Sequence, residues 1–269
     1  MKDHAWNELL DEFRALGGIV DNVCLKDGVF GRGLFTVDAT KPVVIHVPDN
    51  LLVKSRDIVF LNGKALVGSA ANVGARERRW LDAYQDTVSW GGGGRTEIER
   101  LFAMAQDLPE DIQNRLFHRF HCGPWFSRPT EEAIQRHFLE TRRIAYKGDD
   151  VLAPIVECAN HGEDAIYDAT NGISLKGQFS GEVLIKYSNM DSFGFFKNWG
   201  FAAARPPAFS IVLKGHIQSK PFRIGRQRFS KTSELMTEGD SPMLSHMLLG
   251  DERYPRLAKV TFFQIMQNA

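Results

Sequence analysis

Trp6, Leu9, Leu10, Phe13 and Leu16 recur at helical spacing with charged residues between them, and Gly17-Gly18 follows as a stop. Residues 1–18 are therefore read as an N-terminal amphipathic helix. From Ile19 to Leu52 the texture changes to short β-prone pieces, IVDNVCL, GLFTV and PVVIHVP. They are punctuated by Lys26-Asp27-Gly28, by the glycines of GVFGRGLF and by Thr40-Lys41-Pro42, which predicts a meander of short strands.

A helical block follows. ARERRWLDAY leads to the Gly91 to Gly94 run, read as a loop, after which Thr96 and Glu99 offer a capping box for the helix IERLFAMAQDL. Pro109 restarts the chain as EDIQNRLFHRFH, Pro124 and Pro129 break it, and TEEAIQRHFLETRRIAY predicts a last helix. Strand texture returns at VLAPIVECAN, GISLKG, GEVLIKYS and FSIVLKG. The order β, helical block, β predicts an α+β fold in which a β-rich domain is interrupted by a helical insertion.

Composition adds little to this picture. A chain of 269 residues can bury a substantial core, and Lys+Arg 33 balance Asp+Glu 33, so nothing advertises a polyanion-binding or membrane-surface protein. Cys24, Cys122 and Cys158 are odd in number and far apart, which makes neither a disulfide framework nor a CxxC zinc pattern. With acids in the first dozen residues and no apolar run of signal-peptide or membrane-span length, an intracellular, cytoplasmic protein is expected.

Chemistry-bearing residues gather in VECANHG, where Glu157, Cys158, Asn160 and His161 follow an apolar run. Cys158 and His161 lie three apart, but cysteine nucleophiles draw their base from distant segments, so a buried structural thiol is expected. His118 and His121 beside Cys122 lack a second ligand cluster and are read as a helix end. GVFGRGLF contains GxGL but not GxGxxG, which leaves two readings open, a tight turn between strands and a backbone ligand site.

In combination these signals are distinctive. GRGL, then an apolar run into Asn-His, then GE-x4-Y and WGF resemble the SET-domain protein methyltransferases, and among them the Rubisco large-subunit methyltransferase-like class with a long helical insertion. The resemblance covers roughly Ile19 to Phe201. It implies a SET domain over 19–201 with a pseudoknot and an insertion at about 70–146, followed by a reduced C-terminal substrate-binding-like region over 202–269. It further implies S-adenosylmethionine as cofactor, S-adenosylhomocysteine as product, no metal, and a protein substrate presenting a lysine; the balanced charge and the lack of long apolar runs lead to no membrane and no specific nucleic acid being expected. Backbone of Gly31, Arg32, Gly33 and Leu34 is expected to touch the cofactor. Asn160 and His161 are expected to clamp its amino-acid and adenine parts, Arg142 or Arg143 to take its carboxylate, and Glu157 is a further partner. Tyr187 is expected beside the transferred methyl, with Tyr167, Trp199 and Phe201 walling a lysine channel.

Methyl transfer from a sulfonium is an in-line displacement that needs alignment and exclusion of water, not a nucleophilic side chain. A lysine acceptor must first lose its proton, at a cost of about 4 to 5 kcal/mol at pH 7 from a reference pKa near 10.4. Burial beside a sulfonium lowers that cost by desolvation and like-charge repulsion. Two positions depart from the family pattern: Gly162 stands where a serine often follows Asn-His, and Trp199 stands where a second tyrosine is usual. The tryptophan keeps two other readings in view, a SET-fold binding or regulatory module without turnover, and methylation of another protein nitrogen such as histidine.

Overall fold

The computed structural model describes residues 3–114, 129–188, 192–202, 213–217, 220–224, 236–238 and 241–244. His118, His121, Cys122 and the terminal stretch RLAKVTFFQIMQ lie outside them. The fold is mixed α+β with several small sheets. It divides into two compact units, Met1–Leu108 with Pro124–Ser188, and Pro109–Gly123 with Asn189–Ala269.

The first unit opens with α1 (Asp3–Ala15), whose Trp6, Leu10 and Phe13 are buried as the periodicity predicts. Gly17, at φ 94°, ends it, and Gly18 donates back to the Phe13 carbonyl at 3.0 Å, the paired-bond stop that glycine permits. The meander follows as β1 (Ile19–Asp21), β2 (Val23–Gly28), β3 (Gly31–Thr36) and β4 (Val43–Val47). IVDNVCL is thus two strands, because Asn22 takes φ 60° between them and its amide bonds the Asp38 and Lys41 carbonyls, both at 2.8 Å. Val43, Ile45 and Val47 alternate into the core.

Next come β5 (Val53–Lys54) and the hairpin of β6 (Ile58–Leu61) with β7 (Lys64–Val67), turned by Asn62-Gly63 at φ 51° and 76°. α2 (Ala75–Thr87) and α3 (Arg95–Gln106) are joined by Trp90–Gly94. That glycine run is not a loop but one wide helical turn kinked at Gly93, φ 123°. A Cβ on Gly92 would meet the Thr87 carbonyl and Arg32 Nη1, which explains why glycine is needed there. Nor does a capping box open α3: Gly94 is the N-cap, without a side-chain bond, and Glu99 is held by Arg95 at 2.7 Å.

α4 (Glu110–Asn114) belongs to the second unit. In the first unit, α5 (Glu131–Arg142) is capped by the Thr130 hydroxyl, which accepts from the Ala133 amide at 3.1 Å. The helix stops at Arg142; the predicted continuation instead forms β8 (Arg143–Tyr146), paired with β9 (Asp149–Leu152). β10 (Asn160–Ala165), β11 (Ile173–Gly177) and β12 (Leu184–Ile185) complete this unit. Here β4 is central between β1 and β11, antiparallel to both, while β10 runs parallel to β12.

The second unit also holds α6 (Ser192–Trp199), β13 (Leu213–Ile217), β14 (Lys220–Ile224), β15 (Met236–Glu238) and β16 (Ser241–Leu244). The strands form a sheet in the order β13-β14-β16-β15.

His137 on α5 is 1% exposed and lies edge-on to Phe102. Burial, then the Arg142 charge, push its pKa from 6.5 down to about 4. The unfolded chain protonates this residue before the native one does, so its contribution to stability is present above pH 6.5 and is lost as pH falls toward about 4. Denaturant unfolding at pH 7 and pH 5 should show wild type losing about 2 kcal/mol more than His137→Phe. Equal losses would mean that His137 does not titrate this way.

Candidate functional site

A series of aromatic contacts holds the VECANHG segment. Phe13 of α1 packs on Trp80 (5.3 Å between centroids), Trp80 stacks on Tyr84 (5.4 Å), and the Tyr84 hydroxyl accepts from the Ile155 amide at 2.8 Å. Ile155 needs this support, because the β-branched residue sits at φ 69°, ψ −55°, with the Val156 amide bonded to the Pro154 carbonyl at 2.8 Å. This is a γ-turn of positive φ, a conformation costing about 1–3 kcal/mol. VLAPIVECAN is therefore not one strand: it leaves β9 at Leu152, turns at Ile155, makes a 3-10 turn over Val156–Cys158, and enters β10 at Asn160.

Three segments far apart in sequence meet here. The β2–β3 hairpin is closed by the exposed Val29 and Phe30, and its positive φ falls on Gly31 (93°), so GVFGRGLF is a turn between strands. On the other edge of β3 the Val183 amide bonds the Leu34 carbonyl (2.7 Å) and the Thr36 amide bonds the Gly181 carbonyl (2.8 Å). Asn160 Nδ2 donates to Glu182 Oε1 at 2.6 Å and reaches the Arg32 carbonyl at 3.4 Å. A Cβ on Gly33 would fall 2.5 Å from Glu182 Oε1 and 2.6 Å from Asn160 Nδ2, so the missing side chain is the room these two occupy. An open hollow of about 540 Å³, lined in part by Asp164, Phe179, Glu182 and Leu184, adjoins this group.

Tyr187 and His161 lie 5.3 Å apart, centroid to centroid. The phenol donates to the Ala159 carbonyl at 2.8 Å, and burial holds its pKa well above the usual value. His161 Nδ1 faces the Ile185 carbonyl (3.3 Å) and the Tyr187 amide (3.4 Å), so either tautomer finds a partner.

The neighbouring arginines go separate ways. Arg142, the last residue of α5, turns inward with a side chain 15% exposed, stacks over Phe138 at 4.4 Å and pairs with Glu97 at 2.9 Å. Arg143, the first residue of β8, points outward to Asp150 at 2.9 Å, with 46% of its side chain exposed. Arg32 reaches from the GRGL turn to the Gly92 and Val88 carbonyls, tying the hairpin to the wide turn between α2 and α3.

Glu157 lies within reach of the Arg142 and Arg32 charges; burial raises its pKa, Arg142 opposes the rise, and the Ser89 and Tyr84 hydroxyls are near enough to lower it. Even so, neither carboxylate oxygen, nor Ser89 Oγ, makes a well-formed hydrogen bond among the described residues. Burial, then Glu157, push the Cys158 thiol up to about 11, which keeps it protonated and inert, as expected of a structural thiol. Tyr167 is half-buried just beyond β10. In the second unit, Trp199 and Phe201 pack on Phe195 (5.2 and 5.5 Å), with Gly200 at φ 79° ending α6 between them.

Glu97, Tyr84 and Glu182 are the site's additions to the residues anticipated from sequence. Glu182 was in view as part of GE-x4-Y, whereas Glu97 and Tyr84 sit in helices whose local pattern signals only amphipathicity. Among the described residues no group of three or more His, Cys, Asp or Glu could hold a metal ion, and no helix is long and apolar enough to cross a membrane.

No protein-family model matches the chain. It is 35% identical over 79 residues to 5′-nucleotidase SurE of Albidiferax ferrireducens, a stretch covering 29% of each protein. Among solved structures, it is similar to Rubisco LSMT bound to AdoMet, with 15% identity and a TM-score of 0.45. The same protein bound to sinefungin and monomethyllysine gives 16% and 0.45, and the SET domain of LSMT bound to lysine and AdoHcy gives 15% and 0.43. Each match covers 80% of this chain and 60% of the other, so the chain spans less than two thirds of those proteins.

Proposed function

We propose that the protein is an S-adenosylmethionine-dependent protein methyltransferase whose acceptor is a lysine amine. The observation that carries this reading is the meeting of GRGL, Asn160-His161 and Glu182 to Tyr187, the segments that bear the family resemblance, around one hydrogen-bonded group.

The donor set fits a zwitterionic nucleoside ligand. Arg142 offers a largely buried guanidinium for a carboxylate, Asn160 and the Arg32 carbonyl offer polar groups for an ammonium, and His161 offers a ring nitrogen for an adenine. The buried Glu157 oxygens and Ser89 Oγ add polar capacity left unused among the described residues. S-adenosylmethionine, when bound, supplies a methyl group on positively charged sulfur.

Tyr187 stays protonated because burial raises its pKa, so its phenol acts as a fixed dipole that orients the amine and is not the base. Backbone carbonyls such as that of Ala159 share that work. Tyr167, half-buried just beyond β10, is proposed as a wall of the acceptor channel. Trp199, lacking a phenolic hydroxyl, favours a second reading, a binding module without turnover.

Calorimetric titration with S-adenosylmethionine and S-adenosylhomocysteine tests the first step; no binding of either at millimolar concentration would end this reading. Given binding, incubation of a lysate with radiolabelled methyl donor, followed by amino-acid analysis of the labelled protein, separates the outcomes. Methyl-lysine is expected, methyl-histidine changes the acceptor, and no label leaves the binding module.

A further inference from the structure

We propose that Glu97 is a place-holding counter-ion for Arg142, occupying the guanidinium until a ligand carboxylate displaces it and returning as that ligand leaves. The inference rests on the reading that Arg142 receives the cofactor's carboxylate.

Arg142 has little freedom to leave. Its side chain is 15% exposed, its guanidinium stacks 4.4 Å above the Phe138 ring, and Nη1 bonds the Thr141 hydroxyl at 3.1 Å. A cation so enclosed is costly without an anion. Glu157 is a poor permanent partner, since its own burial favours the neutral acid. Glu97 supplies the charge, with Oε2 2.9 Å from Arg142 Nη2.

Position and exposure distinguish a place-holder from a fixed orienting residue. The other Glu97 oxygen, Oε1, stands 3.7 Å from where a Cβ on Gly31 would lie, so one carboxylate spans the glycine turn and the arginine. It is also close enough to raise the Tyr187 pKa by its charge. A ligand carboxylate approaching Arg142 past the turn meets this negative charge first. Glu97, with 44% of its side chain exposed, can swing into water at small cost, whereas Arg142 cannot. The exchange weakens binding of any ligand carrying the carboxylate and speeds release of the product, which carries it too.

The test compares S-adenosylhomocysteine with 5′-methylthioadenosine, which lacks the amino-acid portion, by calorimetry on wild type, Glu97→Gln and Glu97→Ala. Both variants should bind S-adenosylhomocysteine about fivefold more tightly and release it more slowly, while affinity for 5′-methylthioadenosine stays within about twofold. On an Arg142→Ala background the Glu97 effect should vanish. If S-adenosylhomocysteine binds the variants no more tightly than wild type, or more weakly, the place-holder role is wrong while the cofactor reading stands. If wild type binds neither nucleoside, both fail together.

Discussion

Replacing Tyr187 by phenylalanine is expected to slow methyl transfer at least about a hundredfold while leaving affinity for S-adenosylhomocysteine within about threefold. The phenol of the half-buried Tyr187 donates to the Ala159 carbonyl at 2.8 Å, so losing it removes one fixed polar group from the place where the amine must be oriented. With its one proton given to Ala159, the phenol oxygen accepts from the amine N–H, and losing a single preorganised polar group of this kind costs about 10²–10³ in rate. The pH profile gives a sharper test. Because burial raises the Tyr187 pKa, the phenol does not ionise near neutrality. The rise in rate with pH then belongs to the acceptor amine, and the variant should keep the same rise at reduced amplitude. Single-turnover rates from pH 6 to pH 9 would show it. Equal rates remove Tyr187 from the mechanism, and a lost pH dependence would make it a base after all.

Gly33→Ala should weaken S-adenosylhomocysteine binding by about tenfold or more, with a smaller effect on stability. Its Cβ would fall 2.5 Å from Glu182 Oε1 and 2.6 Å from Asn160 Nδ2, the two atoms joined by the 2.6 Å hydrogen bond that ties the three segments. Side-chain ends can move aside, so the fold survives, but Asn160 then loses its orientation. Gly31→Ala is the contrasting control. Around it the nearest atom is Glu97 Oε1 at 3.7 Å, yet φ is 93°, so that change strains the backbone without touching Asn160. Titration calorimetry with thermal unfolding should place the larger binding loss at Gly33; a larger loss at Gly31 would contradict the role assigned to the Asn160–Glu182 bond.

Much of the framework was legible along the chain, because the signals were local. Helix α1 follows from the spacing of Trp6, Leu10 and Phe13 and from Gly17-Gly18, and strand β4 from the β-prone run PVVIHVP that follows Thr40-Lys41-Pro42. The departures from that local pattern have distant causes. Glycines at 91–94 are poor helix formers in isolation, yet here Arg32 bonds the Gly92 carbonyl within the turn and the Val88 carbonyl before it, holding the turn to the end of α2. Apolar Ala153 to Val156 look like strand, but the Tyr84 hydroxyl holds the Ile155 amide in a turn.

The residue types available for the site, and the order in which they arrive, can be read straight off the chain: GRGL, Asn160-His161, then GE-x4-Y. Which of these side chains meet depends on packing in three dimensions. Arg142 and Arg143 are indistinguishable as neighbours in sequence, but the backbone passes from helix to strand between them. One guanidinium is turned onto Phe138 and Glu97, the other toward Asp150. Glu97 and Tyr84 carried no signal at all, because their roles depend on partners tens of residues away, brought within reach by packing and by no local pattern.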